Sequence, residues 1–274
     1  MTDQIVARFS CGAASFVALT IAIERYGSRV EAVNAFLAAE HADNRRFLAD
    51  VERYLGIAVT VLQDTKYDAD PLKVWWKKRF IAGKDGAPCS KALKGEILDA
   101  YRPKAVMVLG YTADEADRLD RFLDANAGRN VIAPLIEDGI TKDDCFQIIA
   151  DAGLVLPVPY LQGFRNSNCL KCPKGGLGYW KHIDLHYPES YEQVARLQDV
   201  LGPKSWFLSD RKNLLVSTSS TGPSGMTSMP TNIFQRSSVG FQVPGFGQPS
   251  LARPPATNQS TAVETWGKNS SGSR

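Results

Sequence analysis

Two cysteines in a C-x-x-C pattern, Cys169 and Cys172, are the residues of this chain best suited to chemistry. Two thiolates on one turn supply half of a metal site. Arg165, Lys171 and Lys174 are close in sequence, and nearby cations lower the pKa of a thiol. We therefore expect both cysteines to be available as thiolates. A thioredoxin-like redox pair fits less well, because the motif comes late, in a glycine-rich loop.

Two further cysteines could complete a metal site with this pair. Cys89 is expected at a helix N-terminus, which favours a thiolate, and Cys145 in the first turns of another helix. Four thiolates can hold an iron–sulfur cluster or a zinc ion. The candidate metal ligands are therefore Cys89, Cys145, Cys169 and Cys172. Two alternatives stay open: His182 and His186 complete the site instead, or there is no metal and Cys145 is a buried apolar residue.

The stretch SCGAAS, residues 10–15, lies between an apolar run and a helix-forming segment. Small residues at such a junction let backbone N–H groups approach an anion, and the helix N-terminus adds partial positive charge. The stretch is therefore suited to a phosphate or a sulfate. The members expected to bind a nucleotide are Ser10, Cys11, Gly12, Ala13 and Ser15. The alternative is a tight turn whose small residues only permit close packing.

Other polar segments are expected beside this loop. In EHADN, Glu40 would meet the adenine or the ribose, although the segment equally suits a helix cap. In GYTADEADR, Gly110 and Tyr111 would approach the nucleotide and Arg118 would orient it, although its acidic residues equally suit a helix start. Lys171 and Lys174 would hold the anionic end.

The segment WWKKRF, residues 75–80, mixes aromatic and basic side chains. Such a mixture could bind an acidic or a nucleic-acid partner. We prefer an amphipathic helix that buries both tryptophans and leaves the lysines in water.

Short apolar runs alternate with amphipathic segments from residue 4 to residue 153. This order predicts an α/β fold with three layers, a parallel sheet with helices on both faces. A cysteine-rich loop and C-terminal helices follow. Ligands of such sheets bind beyond the carboxyl ends of the strands. The loops placed on that rim are 10–15, 39–44, 64–70 and 110–118.

The 274-residue chain changes composition near residue 213. Residues 1–213 are expected to form a nucleotide-binding domain. Residues 214–274 are rich in Ser, Thr, Gly and Pro, which predicts a low-complexity, disordered tail; docking of this tail on a partner is the alternative. The net charge of +3 does not by itself indicate nucleic acid, nor does it exclude it.

The N-terminal residues do not resemble a secretory signal, and no apolar run reaches membrane-spanning length. We therefore expect a cytoplasmic protein without a membrane partner. In that compartment cysteines are thiols, metal ligands or redox groups more often than disulfides. The sequence does not predict an oligomeric state.

The stretch FSCGAASFVAL resembles the first loop of the adenine nucleotide α-hydrolase (PP-loop) superfamily. In order, the motifs EHADNRRFLADVERYLG, PCSKALK, GYTADEADRLDRF and NCLKCPKGGLGYWKH are similar to those of the phosphoadenosine-phosphosulfate (PAPS) reductase-like proteins of bacteriophages and bacteria. The resemblance implies an oxidoreductase that binds an adenine nucleotide, PAPS or ATP, through residues 10–15 and acts at its phosphate or sulfonyl end. It also implies a cysteine-bound iron–sulfur cluster and a thioredoxin-like reductant or sulfur donor.

Two departures from that family keep other functions open. PAPS reductases attack sulfur with a cysteine near the C-terminus, whereas this chain has no cysteine after Cys172, so Cys169 or Cys172 would be the catalytic nucleophile. Ala14 replaces an aspartate that the related ATP pyrophosphatases use. The alternatives are an ATP-dependent sulfurtransferase, acting on a nucleic acid or a small molecule, and a nucleotide-binding module without catalysis.

Overall fold

Five parallel strands form the centre of the fold. A computed structural model describes residues 4–83, 86–205 and 207, so the predicted tail, residues 214–274, lies outside the described residues. The strands are β1 (Ile5–Arg8), β2 (Val30–Phe36), β3 (Val59–Gln63), β4 (Val106–Val108) and β5 (Val131–Ile132). They run in the order β3-β2-β1-β4-β5. The predicted parallel α/β fold is therefore confirmed.

The central strand, β1, pairs with β2 on one side and with β4 on the other. The chain builds the sheet outward from β1 in one direction through β3, and then returns to add β4 and β5 on the other side. The order therefore reverses between β1 and β4. In open parallel sheets this reversal opens a crevice at the carboxyl ends of the two strands, and ligands bind there.

Eleven helices connect and cover the described strands. They are α1 (Ala13–Tyr26), α2 (Asp43–Leu55), α3 (Pro71–Lys78), α4 (Pro88–Ser90), α5 (Glu96–Ala100), α6 (Ala116–Ala125), α7 (Pro134–Glu137), α8 (Lys142–Asp151), α9 (Val158–Leu161), α10 (Leu177–His186) and α11 (Pro188–Leu201). A π-helical segment, Lys91–Gly95, joins α4 to α5. Helices α3, α4, α7 and α11 begin with proline, whose fixed φ and missing N–H suit a first helical turn.

The first apolar core lies between the sheet and helices α1, α2 and α8. Helix α1 is buried along most of its length, from Ala13 to Ala22, because it packs on the sheet and is itself covered by α7 and α8. Phe47 and Val51 contribute from α2, and Cys145 and Ile149 from α8. At the usual value of about 25 cal/mol per Å² of apolar area, this burial is the main stabilisation of the sheet's central strand.

A second apolar core joins α3, the π-helical segment, α10 and α11. Its largest members are Trp75, Trp180 and Tyr191, all fully buried. The expectation that both tryptophans of WWKKRF are inside is wrong for Trp76, which is 53% exposed. The two residues are adjacent on one helix and therefore point about 100° apart, so only one of them can face this core.

One predicted strand is much shorter in the structure. The segment NVIAPLIE, residues 130–137, was expected to be extended, but only Val131 and Ile132 pair with β4. Pro134 then starts α7, because proline has no N–H for a sheet ladder and is suited to the first turn of a helix. Among the described residues, we find no helix with the length and apolar character needed to cross a membrane.

Candidate functional site

The loop between β1 and α1 is closed by one of its own side chains. The Ser15 hydroxyl accepts hydrogen bonds from the backbone N–H groups of Ser10 (3.1 Å) and Gly12 (3.2 Å), and donates to the Gly12 carbonyl (2.9 Å). The N–H of Ala13 donates to the Tyr160 hydroxyl at 3.1 Å. Three of the amides expected to face an anion thus already have partners. The exposed Ser10 hydroxyl, which lies 3.2 Å from Ser15 Oγ, remains at the surface of the loop.

Cys11 occupies a strained and buried position in this loop. Its φ of +57° lies in the left-handed region, which costs a residue other than glycine roughly 1–2 kcal/mol. Its sulfur lies 3.6 Å from Asn34 Nδ2 and 3.9 Å from an Arg45 guanidinium nitrogen. Burial, together with the nearby Glu40 carboxylate, raises the pKa of the Cys11 thiol to about 12. Cys11 is therefore a neutral thiol that connects the loop to β2 and α2.

Glu40 anchors a chain of charged groups beside Cys11. Its carboxylate, 4% exposed, accepts a hydrogen bond from Lys94 Nζ at 3.0 Å and lies 3.7 Å from Arg45. The Asn44 amide also reaches it at 3.4 Å. Burial alone would lower the pKa of Lys94, but Glu40 and the neighbouring cysteines raise it. Two cations thus face one carboxylate, which leaves one positive charge in excess within this group of three side chains.

The C-x-x-C loop is docked on the carboxyl edge of the sheet. The N–H of Leu170 donates to the Ala39 carbonyl at 2.7 Å, and the Ser167 hydroxyl donates to the Asn44 side-chain oxygen at 2.7 Å. The Tyr179 hydroxyl donates to the Cys169 carbonyl at 2.5 Å and accepts from the Cys172 N–H at 3.1 Å. These bonds hold both cysteines next to the loop that follows β2.

The local environment does not favour a thiolate at Cys169. Burial raises the pKa of this thiol to about 12, and Cys172 raises it further, whereas a backbone N–H and Lys94 oppose the rise in part. The expectation that neighbouring cations lower the pKa is therefore wrong for Cys169. Of those cations, Arg165 lies 3.7 Å from Asp114. The cost of desolvating a thiolate at Cys169 exceeds the stabilisation by Lys94 and by the backbone N–H.

Cys89 is the third cysteine at this edge. It lies in α4 within the second core, close enough to Cys172 for that residue to contribute to its raised pKa, and Lys174 is also nearby. Burial is the largest cause of its raised pKa, so the thiolate expected at this helix start is not favoured. The nearby Trp75 indole N–H opposes the rise in the Cys89 pKa. The geometry of this contact does not meet the criteria for a hydrogen bond, and the indole N–H has no other partner among the described residues.

Cys145 is not brought to the other three cysteines. Its sulfur is buried in the first core, on α8, and its electrostatic neighbours are Lys142, Asp144 and Asp114. Burial raises its pKa to about 12. The predicted four-cysteine set is therefore not assembled, and Cys145 fills the apolar role that was its alternative.

The cysteine–histidine alternative is not assembled either. His182 and His186 stack on each other with ring centroids 5.9 Å apart, beside Phe164. Within residues 4–83, 86–205 and 207, no group of three or more His, Cys, Asp or Glu side chains is placed to hold a metal ion. Cys89, Cys169 and Cys172 lie at the same edge but have no fourth ligand in the described part of the chain, and the pKa values of Cys89 and Cys169 are raised. These three thiols therefore do not fit a four-thiolate cluster.

Gly110 is brought directly onto the 10–15 loop. A Cβ at this position would lie 2.9 Å from Ser15 Cα and 3.0 Å from the Ala14 carbonyl carbon. Only glycine lets the end of β4 approach the start of α1 so closely.

Tyr111 follows at the rim, with the Arg118 guanidinium 4.5 Å from the centre of its ring and Glu115 bound to Arg118 at 2.5 Å. Beside the cysteines, Lys171 is partly exposed and Lys174 is exposed.

Sequence reasoning missed four residues of this site. Asn34 donates to the Phe9 carbonyl at 2.8 Å and accepts from Arg45 at 2.9 Å, Lys94 binds Glu40, and Tyr160 caps the loop. One signal was available, because a single asparagine inside the apolar strand VEAVNAF requires hydrogen-bond partners when buried. The other three residues are separated from their partners by 11 to 147 positions.

Two cavities lie elsewhere on the described surface. One, of about 590 Å³, runs beside α3 and is lined by Lys66, Tyr67, Lys73 and Trp76 among others. The other, of about 300 Å³, lies near Arg8 and Arg129. Neither is lined by residues 10–15. The site is therefore assigned from the strand order and the side chains gathered at the carboxyl edge, and not from a cavity.

No protein-family model matches the chain, and no curated protein matches it significantly.

Proposed function

We propose that this chain is a PAPS-reductase-like enzyme that binds an adenine sulfonucleotide at the crevice between β1 and β4. The observation that carries the proposal is the strand reversal at this point, with the small-residue loop 10–15 and the start of α1 on one side and Gly110 on the other. Ligands of doubly wound sheets bind at such a crevice. The resemblance of the sequence motifs supplies the class of ligand.

The anionic end of the nucleotide would point toward the cysteines. The Ser10 hydroxyl is the side-chain donor next to the crevice, and Lys94 and Arg45 exceed Glu40 by one positive charge. Fixed positive charge of this kind stabilises a phosphate leaving group in the transition state. Lys171 and Lys174 add exposed cations on the same side.

We assign the attack to Cys172 and the second step to Cys169, because the pKa of about 12 keeps the Cys169 thiol protonated at neutral pH. The Cys172 thiolate would bond to the sulfonyl sulfur, and the S–O bond to the phosphate would break, so that the nucleotide leaves with the electron pair. Cys169, on losing its proton, would then attack Cys172 sulfur and displace sulfite. The two thiols together supply two electrons and become a disulfide, which an external dithiol protein reduces.

The test is sulfite release from PAPS in the presence of thioredoxin and its reductase. We expect turnover by the unmodified chain and a loss of at least 100-fold in Cys172→Ser and in Cys169→Ser. The matched control is Cys145→Ser, because its sulfur lies in the first core; it should retain turnover. A protein–thiosulfonate adduct, detected by intact mass, should accumulate in Cys169→Ser only.

A nucleotide-binding module without catalysis is the second candidate, and the high pKa of Cys169 favours it. Tight binding of adenosine 3′,5′-bisphosphate without sulfite release would support the module and exclude the reductase. Acceptor-dependent cleavage of ATP to AMP and pyrophosphate would instead indicate a sulfurtransferase. Absence of nucleotide binding in calorimetry would exclude all three.

A further inference from the structure

The cavity of about 300 Å³ lies beside β1, β4 and β5, and none of its lining residues belongs to the candidate site. Lys104 and Ala105 directly precede β4, and Gly128 to Asn130 directly precede β5, so these walls stand at the amino ends of the strands. Val6 and Met107 form an apolar floor on the sheet. We call this cavity the arginine pocket, after Arg8, Arg102 and Arg129.

Two guanidinium groups of the arginine pocket converge on one atom. Arg8 and Arg129 both donate to Oδ1 of Asp99, at 2.6 Å and 2.7 Å. A guanidinium has five N–H donors, so each arginine has donors besides those that Asp99 takes. Arg8 is only 19% exposed and lies on the central strand, so its position is fixed before any ligand arrives.

The arginine pocket carries an excess of positive charge. Four cationic side chains, those of Arg8, Arg102, Lys104 and Arg129, line it together with a single carboxylate, that of Asp99. Glu31 is not part of the lining, but it lies 3.3 Å from Arg102 and balances the positive charge of that residue. Lys104 makes no ion pair with any residue that the structure describes. Clustered cations in a concave site favour an anion of two or more charges.

The backbone of the pocket is strained where it presents Lys104. Arg102 has a φ of +50°, in the left-handed region, and its carbonyl accepts the N–H of Ala105 at 2.9 Å. Strained residues other than glycine gather at ligand sites. This turn places the side chain of Lys104, which makes no ion pair among the described residues, in the lining of the pocket.

We propose that the arginine pocket binds a small ligand with a tetrahedral oxyanion, such as inorganic phosphate, pyrophosphate or sulfate. Arginine forks match the oxygen geometry of such groups and bind them in a bidentate manner. The volume of about 300 Å³ is at the lower end for ligand sites, which suits an ion of this size better than a whole dinucleotide. The site goes beyond the proposed nucleotide site and shares no residue with it.

The experiment is isothermal titration calorimetry of the full chain with each of the three anions in turn. We expect binding to the unmodified protein, weakened about fivefold in Lys104→Gln and more than tenfold in Arg129→Gln. Lys181→Gln, an equal change of charge at an exposed position on α10, is the matched control and should bind as the unmodified chain does. The anion with the highest affinity distinguishes a phosphate site from a sulfate site.

Lys104→Gln decides the result if Arg129→Gln fails to fold, because Lys104 has no ion pair among the described residues to lose. Equal affinity in Lys104→Gln and Lys181→Gln would overturn the proposal. So would binding that is abolished by Lys94→Gln, since the anion would then occupy the carboxyl edge of the sheet. Absence of binding at millimolar anion would overturn it as well.

Discussion

Gly110 shows how one missing side chain shapes the crevice. A Cβ at residue 110 would lie within about 3 Å of three backbone atoms of Ala14 and Ser15, and backbone atoms cannot move aside as the end of a side chain can. We expect Gly110→Ala to lower the free energy of unfolding by about 1–3 kcal/mol, as forced overpacking does, and to weaken nucleotide binding. Urea unfolding and calorimetry measure the two effects.

The matched control for Gly110 is Gly178→Ala in α10, where an added Cβ would meet no atom within 4 Å. Alanine is the better helix former there, so stability should stay equal or rise by up to about 1 kcal/mol. If both glycine variants changed stability alike, the close approach of β4 to α1 would not be the reason for glycine at 110.

The buried thiol of Cys145 makes stability depend on pH. Its pKa is raised from 9.0 to about 12 by burial, so between these values the unfolded chain releases a proton that the folded chain keeps. The folded state then binds more protons, and the free energy of unfolding falls as pH rises, by at most about 1.4 kcal/mol per pH unit. Cys145→Ala should flatten this decline in urea unfolding between pH 9 and pH 10.5.

Lysines and tyrosines titrate in the same pH range. They are the same in the unmodified chain and in Cys145→Ala, so their contributions to the pH dependence of stability cancel in the comparison. Parallel declines in the unmodified chain and in Cys145→Ala would show that this thiol does not keep its proton in the folded state.

Single residues also show where sequence reasoning stopped. The small-residue loop and Gly110 could be predicted as neighbours, since the carboxyl ends of parallel strands share an edge. The pairing of Lys94 with Glu40 could not, because the π-helical segment that presents Lys94 has no pattern of its own in the sequence. The predicted lowering of the Cys169 pKa was also wrong, because the burial that raises this pKa comes from the second core and not from residues that are neighbours in sequence.

Helix α2 is fastened to the segment before α9 by one arginine. Arg46 donates to both oxygens of Asp43, to Asp50 at 2.7 Å, and to the carbonyls of Val155 and Leu156 at 3.0 and 3.1 Å. Removing a charged donor from several acceptors leaves them unsatisfied. Arg46→Gln should therefore lower the free energy of unfolding by about 1–3 kcal/mol, measured in urea at pH 7.

The same contact gives α2 an acid dependence. The Arg46 guanidinium holds the pKa of Asp43 below its ordinary 3.8, so this stabilisation is complete above pH 3.8 and is lost as pH falls below it. Arg46→Gln should lose less stability on acidification than the unmodified chain. Arg53→Gln, on the same helix but 74% exposed, should change stability by less than about 0.5 kcal/mol. A comparable loss in both variants would contradict the role given to Arg46.

At the scale of elements, pattern was sufficient for most helices and strands but not for their ends. The alternation of apolar runs and amphipathic segments predicted β1 to β4 and the helices around them. It failed at Pro134, where a short apolar run is divided between a two-residue strand and a helix. It also failed at Trp76, since a pattern counts apolar residues without showing which side of a crowded helix the core occupies.

The whole described fold rests on two cores, which should unfold together. The described part of the first core contains no tryptophan, whereas Trp75 and Trp180 are buried in the second. Ile149→Ala, in the first core, should cost about 2–5 kcal/mol. If the cores are cooperative, tryptophan fluorescence and far-UV circular dichroism will shift to the same lower urea midpoint.

The matched control for Ile149 is Val200→Ala, since Val200 is 60% exposed on α11 and should leave the midpoint nearly unchanged. A fluorescence transition that stays in place while the dichroism transition moves would show that the two cores unfold as separate units.

The position of β1 has a consequence for how the arginine pocket and the crevice communicate. Arg8, the last residue of β1, belongs to the arginine pocket, and Ser10, two residues further along the chain, belongs to the crevice, while β1 itself is paired along both edges. A strand held in this way cannot slide or rotate unless its neighbours move with it, and long-range coupling requires an element with two alternative arrangements. Occupancy of the arginine pocket should therefore leave the affinity of the crevice for its nucleotide unaltered, with a coupling free energy near zero.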